Sequence, residues 1–222
     1  HFEVAPKETV TLDLTSGMAF PALDVGPKRE RIESAKCRLA GQISDIVDIS
    51  PGPKSLVFKA ELPKTGVAAL WVKLPPKSIE LKPAEVKEYL DEIDAPASVR
   101  KQWAEMTPQR WRELYTKHPK TFVRVGEPPA DGSWSEPVGM ALEIVPEKDP
   151  TALREGDELP VRVLRNGAPY PEFSLNAVAE GETKGETRKT DSTGRIVFTL
   201  NKVGRWLLRG TDVRKSTKSD AD

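Results

Sequence analysis

Alternation dominates the pattern of apolar and polar positions in this chain. Leu159, Val161 and Val163 fall on one side of an extended backbone and Arg162 on the other. Ile196, Phe198 and Leu200 repeat the period of two, and Trp206 and Leu208 begin a further strand. Asn166-Gly167, Asp191 to Gly194 and Asn201 to Gly204 carry the turn residues between these runs. Short alternating strands with such turns predict an antiparallel β-sandwich. The N-terminal part reads the same way. Val10, Leu12 and Leu14 alternate with Thr9, Thr11 and Asp13, and Leu56, Phe58 and Ala60 make another strand. Arg29 to Ala40 pairs with the segment near Ile43 to Ile49, and Thr121 to Val125 returns the chain to the first sandwich. Val67 to Leu74 is apolar on both faces, as a central strand is.

Between these runs the period changes. After Pro83, Val86, Tyr89, Leu90 and Ile93 share one face at helical spacing, and Val99, Trp103 and Met106 form a second stripe. Thr107 and Pro108 suit a helix cap and first helical position. Trp111, Leu114, Tyr115 and His118 then follow at i, i+3, i+4 and i+7. The expectation is a mainly β protein of two antiparallel β-sandwich domains, the first carrying an insertion of three short helices over 83–118. Residues 1–136 form the N-terminal domain and 137–222 the C-terminal one. Gly126 to Gly139, rich in Pro and Gly, links them.

Composition narrows the function classes. Lys+Arg and Asp+Glu are both 34, a formal net charge of zero, so nothing favours a nucleic-acid partner or an anionic membrane surface. No apolar run approaches the ~20 residues of a spanning helix, so direct membrane insertion is not expected. Cys37 is the only cysteine, which leaves no internal disulfide and makes a buried inert thiol the default.

His1 and His118 are the only histidines. Nickel favours imidazole and thiolate ligands, so a closed site would use nearly every soft ligand in the chain. His118 sits on an apolar stripe beside Trp111, where a partly buried histidine is the ordinary outcome. An N-terminal His1 with its amine, plus His118, could clamp copper as oxidative enzymes do. Asp191 and Gly194 are better explained by a hairpin than by calcium. No Gly-rich phosphate loop and no Gly-x-Ser-x-Gly elbow is present. Trp71 and Trp206 fall on strands and Trp103 and Trp111 on helical stripes, all in packing positions. Trp134 alone lies in the linker, where an aromatic docks a partner or a sugar, or plugs the groove between two domains.

Four stretches carry a family resemblance. They are Phe2 to Val10; Arg112-Glu113-Leu114-Tyr115 through Lys120 to Gly126; Gly139 to Pro146 with Pro150 and Gly156-Asp157; and Gly167-Ala168-Pro169, Thr190-Asp191, Gly194-Arg195 and Gly204-Arg205-Trp206. In combination they resemble an exported bacterial domain-of-unknown-function family linked to nickel uptake, the NikK-like periplasmic proteins. The second domain is also similar to prealbumin-like and carboxypeptidase-regulatory-like modules. Family members begin with His-Asp-Phe-Trp and continue past residue 211 into a closing strand, so this chain reads as trimmed at both ends. The resemblance implies a non-enzymatic accessory protein of the periplasm or cell envelope. Its partner would be a membrane metal transporter or an envelope protein, and its cargo nickel or another transition metal. Arg112, Tyr115 and Lys120 recur in the family pattern. They join Trp134 as ligand-binding candidates, with a structural role at the helix–strand junction as the alternative. Two further readings stand beside this one: a structural or adhesive module binding protein or glycan, and a copper-dependent oxidative enzyme.

Overall fold

A computed structural model describes residues 2–17, 19–129 and 131–216. The first half comprises β1 (Phe2–Val4), β2 (Thr9–Leu14), β3 (Ser34–Leu39), β4 (Gln42–Asp45), β5 (Asp48–Pro51), β6 (Leu56–Glu61), β7 (Gly66–Lys73), β8 (Lys77–Leu81), α1 (Pro83–Glu92), α2 (Ala97–Glu105), β9 (Trp111–Tyr115) and β10 (Lys120–Val125). A five-stranded sheet, β1-β10-β7-β3-β4, packs on a three-stranded one, β2-β6-β5. Their inner faces share one core, in which Ala35, Cys37, Leu70, Val123 and Val125 meet Val10, Leu56 and Phe58. The period of two decides which residues enter it, because successive side chains leave opposite faces of a strand. β1 joins β10 in parallel, and the other pairings in this sheet are antiparallel.

The insertion departs from expectation. Only two α-helices occur among the described residues, and the third expected helix is absent. Trp111, Leu114 and Tyr115 lie on or at the end of strand β9, which pairs antiparallel with β8 from Leu81↔Trp111 to Lys77↔Tyr115. His118 follows in the connection to β10 rather than on a helical face. The physical reason is length and competition. Between Pro108 and Pro119 there is room for about two to three turns, too few to sustain a helix without strong packing. Aromatic residues such as Trp111 and Tyr115 suit a pleated surface, and β8 offers a complete set of backbone partners. The resulting ribbon supports both helices. Val86 and Leu90 of α1, Ala95 and Trp111 form a small separate core, with Tyr89, Val99, Trp103 and the C-terminal Val213 packed around it. Tyr89 and Trp103 both meet Trp111 edge-on, at ring separations of 5.9 and 6.0 Å.

The second half contains β11 (Leu142–Pro146), β12 (Glu158–Arg165), β13 (Ala168–Pro169), β14 (Ser174–Ala179), β15 (Glu186–Lys189), β16 (Arg195–Thr199) and β17 (Trp206–Arg209). β12 is flanked by β11 and β16 and also pairs with β13, while β14 lies between β15 and β17 in a second sheet. Leu159, Val161, Val163, Ile196 and Phe198 from the first sheet meet Leu175 and Ala177 from the second. Asn166 and Gly167 both take positive φ, 50° and 81°, which is the backbone a two-residue hairpin between twisted strands requires. The mainly β, sandwich-type architecture therefore holds. No helix among the described residues is long and apolar enough to cross a membrane.

Phe198 is 1% exposed at the centre of the second core. Phe198→Ala should cost about 3–5 kcal/mol through lost burial and the cavity left behind. Urea unfolding followed by far-UV circular dichroism measures it.

Candidate functional site

On the five-stranded sheet, the positions that alternate with the core ones point outward. They carry Arg38 on β3, Val67, Ala69 and Trp71 on β7, and Lys120, Phe122 and Arg124 on β10. Val67, Ala69 and Trp71 are nevertheless buried. The segment after β10 lies across them and carries the chain into β11. This explains why β7 is apolar on both faces although one face of its sheet is not core.

Three cations on this face, Arg38, Lys120 and Arg124, have partners in the covering segment or in the second sandwich, whereas Lys36 and Lys73 pair with Asp45 and Glu33 of the first. Arg38, only 7% exposed, donates to the carbonyls of Ser133 (3.3 Å), Glu136 (2.8 Å) and Pro137 (3.3 Å). Its guanidinium lies 5.9 Å from the Trp71 ring centroid. Lys120 Nζ donates to Glu143 Oε1 at 2.7 Å, with side-chain exposures of 7% and 1%. Arg124 donates to Asp149 Oδ2 at 3.0 Å. The Glu143 carboxylate also accepts the backbone N–H groups of Val138, Gly139 and Met140 at 2.9–3.2 Å. One buried carboxylate thus satisfies a lysine of the first sandwich and a turn leading into the second. A buried charge is tolerated only with such a complete set of partners.

Beside the Arg124–Asp149 pair lies an open groove of about 630 Å³, formed by the first sandwich and the covering segment, with Asp149 contributed by the second. Val67, Pro128, Pro129 and Trp134 provide its apolar wall, and Glu127, Asp131 and Asp149 its acidic positions. Trp134 stands on a single 3-10 turn, Ser133–Ser135. That turn is held from three sides. Asp131 accepts from Ser133 N and Oγ at 3.0 and 2.8 Å, Gly41 N donates to Ser133 Oγ at 3.0 Å, and Arg38 holds the Ser133 carbonyl. The indole is therefore presented by a fixed turn.

A family model described as "Domain of unknown function (DUF4198)" matches residues 1–211. The chain belongs to that family. No curated protein matches it, and no solved structure does. The DUF4198 description names neither ligand nor reaction.

The candidates named from the sequence of this DUF4198 protein do not converge on one place. Trp134 lines the groove. Lys120 lies on the same sheet face that the Trp134 turn covers, inside the buried pair with Glu143. Arg112 and Tyr115 sit half-buried on β9 of the insertion ribbon, with Lys117 Nζ 6.0 Å from the Tyr115 ring centroid. His118 is half-buried, and burial pulls its pKa below the usual imidazole value against the opposing effect of Glu143. His1 lies outside the described residues. Among the described residues no three His, Cys, Asp or Glu side chains come together as a metal site. Burial pushes the Cys37 thiol up to about 11, so it stays protonated at neutral pH. Asp191 Oδ1 accepts from Thr193 N, Thr193 Oγ1 and Arg195 N, as a turn-forming aspartate does.

Arg38, Arg124, Glu143 and Asp149 escaped sequence reasoning. A signal for the first two existed. They stand on strands whose neighbour β7 is apolar outward as well as inward, so the outward face had to be covered and its cations answered.

Lys120→Met would leave Glu143 buried without its counter-charge and should cost about 3–5 kcal/mol in urea unfolding. Adding Glu143→Gln should recover part of that loss, since an amide oxygen still accepts from the turn. Desolvation raises the Glu143 pKa, but the Lys120 hydrogen bond and charge and the backbone N–H groups outweigh it, and the net direction is down. With its folded value depressed, Glu143 contributes stability above the ordinary carboxylate range and loses it as pH falls through the folded value. Stability measured against pH should therefore fall more steeply toward acid in the wild type than in the double variant.

Proposed function

We propose that this protein is a non-enzymatic binding or accessory module of the periplasm or cell envelope, built of two domains, 1–136 and 137–222. The groove where the covering segment leaves the first sandwich, next to Asp149 of the second, is its ligand site. The observation that carries this reading is Trp134, half-buried on a turn fixed by Asp131, Gly41 and Arg38 at the wall of the groove. Ligand sites favour clefts at domain junctions with an apolar lining and a few placed polar groups. An aromatic held in place before binding loses little freedom on binding. The placement in the envelope rests on the resemblance described above, and the partner would be an envelope protein or a membrane transporter.

Metal delivery is the second reading, and His118 favours it. Its lowered pKa keeps the imidazole neutral near pH 7, the form that ligates nickel or another transition metal. Calorimetric titration of the full chain with nickel, copper and zinc tests this. Binding lost in His118→Ala supports it, and absence of heat with all three metals removes both it and the copper-enzyme reading. For the groove, ligand screening by NMR across peptides, oligosaccharides and metals should give binders that shift the Trp134 indole resonance. Binders that all map away from Trp134, Val67 and Arg124 would sink the groove reading, and a saccharide mapped there would favour the adhesive one.

A further inference from the structure

The groove is acidic although the chain as a whole is neutral. Glu127, Asp131 and Asp149 line it together with the single guanidinium of Arg124, three negative charges against one positive, a net −2, whereas the chain carries 34 basic and 34 acidic residues. Arg124 answers Asp149 at 3.0 Å. Asp131 is occupied by neutral donors, the N–H and hydroxyl of Ser133, which orient it without cancelling its charge. Glu127 is exposed at the rim. The Trp134 indole and two consecutive prolines, Pro128 and Pro129, complete the lining; the prolines offer carbonyl acceptors and no N–H, and the indole adds a single donor, its Nε1–H.

An indole in a groove that also holds the carboxylates of Glu127 and Asp131, neither answered there by a cation, selects a cation. The ring quadrupole attracts an ammonium or guanidinium, the carboxylates add Coulomb attraction, and a neutral or anionic ligand gains neither. Cations rich in N–H donors also suit a wall that supplies acceptors. The groove's openness argues for the kind of cation. A free small molecule binds well when most of its surface is enclosed, which this cleft does not do. A side chain on a longer segment needs less enclosure, because the rest of the segment shares the cost of immobilisation. Resting on the groove reading above, we propose that the groove seats a lysine or arginine side chain from a basic extended segment of a partner protein. The cation lies against Trp134, within reach of Glu127 and Asp131.

Fluorescence anisotropy with fluorescein-labelled hexalysine on the full chain tests this, with labelled hexaglutamate and hexaglycine as controls and spermidine as a competitor. Hexalysine should bind, weaken as salt rises, and weaken about tenfold in Trp134→Ala and measurably in Glu127→Gln, an exposed change that leaves the fold intact. Hexaglutamate should not bind. Absence of hexalysine binding, or equal binding to wild type and both variants, overturns the proposal. If hexaglutamate or hexaglycine binds and Trp134→Ala weakens it, the cation is wrong and the groove reading stands. If Trp134→Ala alters no peptide and no ligand from the NMR screen, both readings fall. Spermidine binding more tightly than hexalysine overturns the choice of a protein segment.

Discussion

The Lys120–Glu143 pair is the constraint on which the joining of the two halves depends. Both side chains are almost wholly out of water, and removing two charges from water costs several kcal/mol per ion. The cost is offset because the geometry is complete. Lys120 approaches at 2.7 Å, and the remaining lone pairs of Glu143 take the N–H groups of Val138, Gly139 and Met140. Such a pair adds little net stability over an apolar one of equal size. Its value is geometric, since only one placement of the 138–140 turn satisfies the carboxylate. Arg38 does the same for the preceding residues by collecting three carbonyls. A Pro- and Gly-rich stretch that could have been a flexible tether is thereby laid down along the sheet.

That placement creates the groove. The covering segment must leave the sheet beyond Arg124, because Asp149 reaches back to that guanidinium from the second sandwich. Val67 and Trp134 both line the space left there. The wall is thus a by-product of the joint, and its rigidity comes from hydrogen bonds to backbone atoms rather than from a large interface.

The insertion adds a second attachment. α1 and α2 rest on the β8–β9 ribbon, and the end of α1 with the turn after it also reaches the C-terminal sandwich. Asp94 accepts from Ser174 Oγ at 2.6 Å, Arg209 pairs with Glu92 at 3.5 Å, and Val213 packs against the small core. Contacts on both sides of the joint restrict hinge motion more than either alone, which is consistent with a binding surface formed before its ligand arrives.

The amino-acid pattern by itself determined many of the strands and their inward faces, though not β8 or β14, whose residues show no clear alternation among the predicted runs. Leu159, Val161, Ile196 and Phe198 had to turn inward together because a period of two admits one buried face, and the turn residues marked where the chain reverses. The same pattern mistook β9 for a helix. The spacing of Trp111, Leu114 and Tyr115 fits either state, and the deciding partner, β8, lies 30 residues or more away along the chain. Of the candidate site, the tryptophan in the linker stood out in the sequence, because an aromatic outside any periodic run has no core to fill, and it lines the groove. Its setting was not. Which carboxylate answers Lys120, and which carbonyls hold Arg38, depend on segments about 20 to 100 residues apart. Local periodicity carries no information about such pairings, and only the folded arrangement of the two sandwiches decides them.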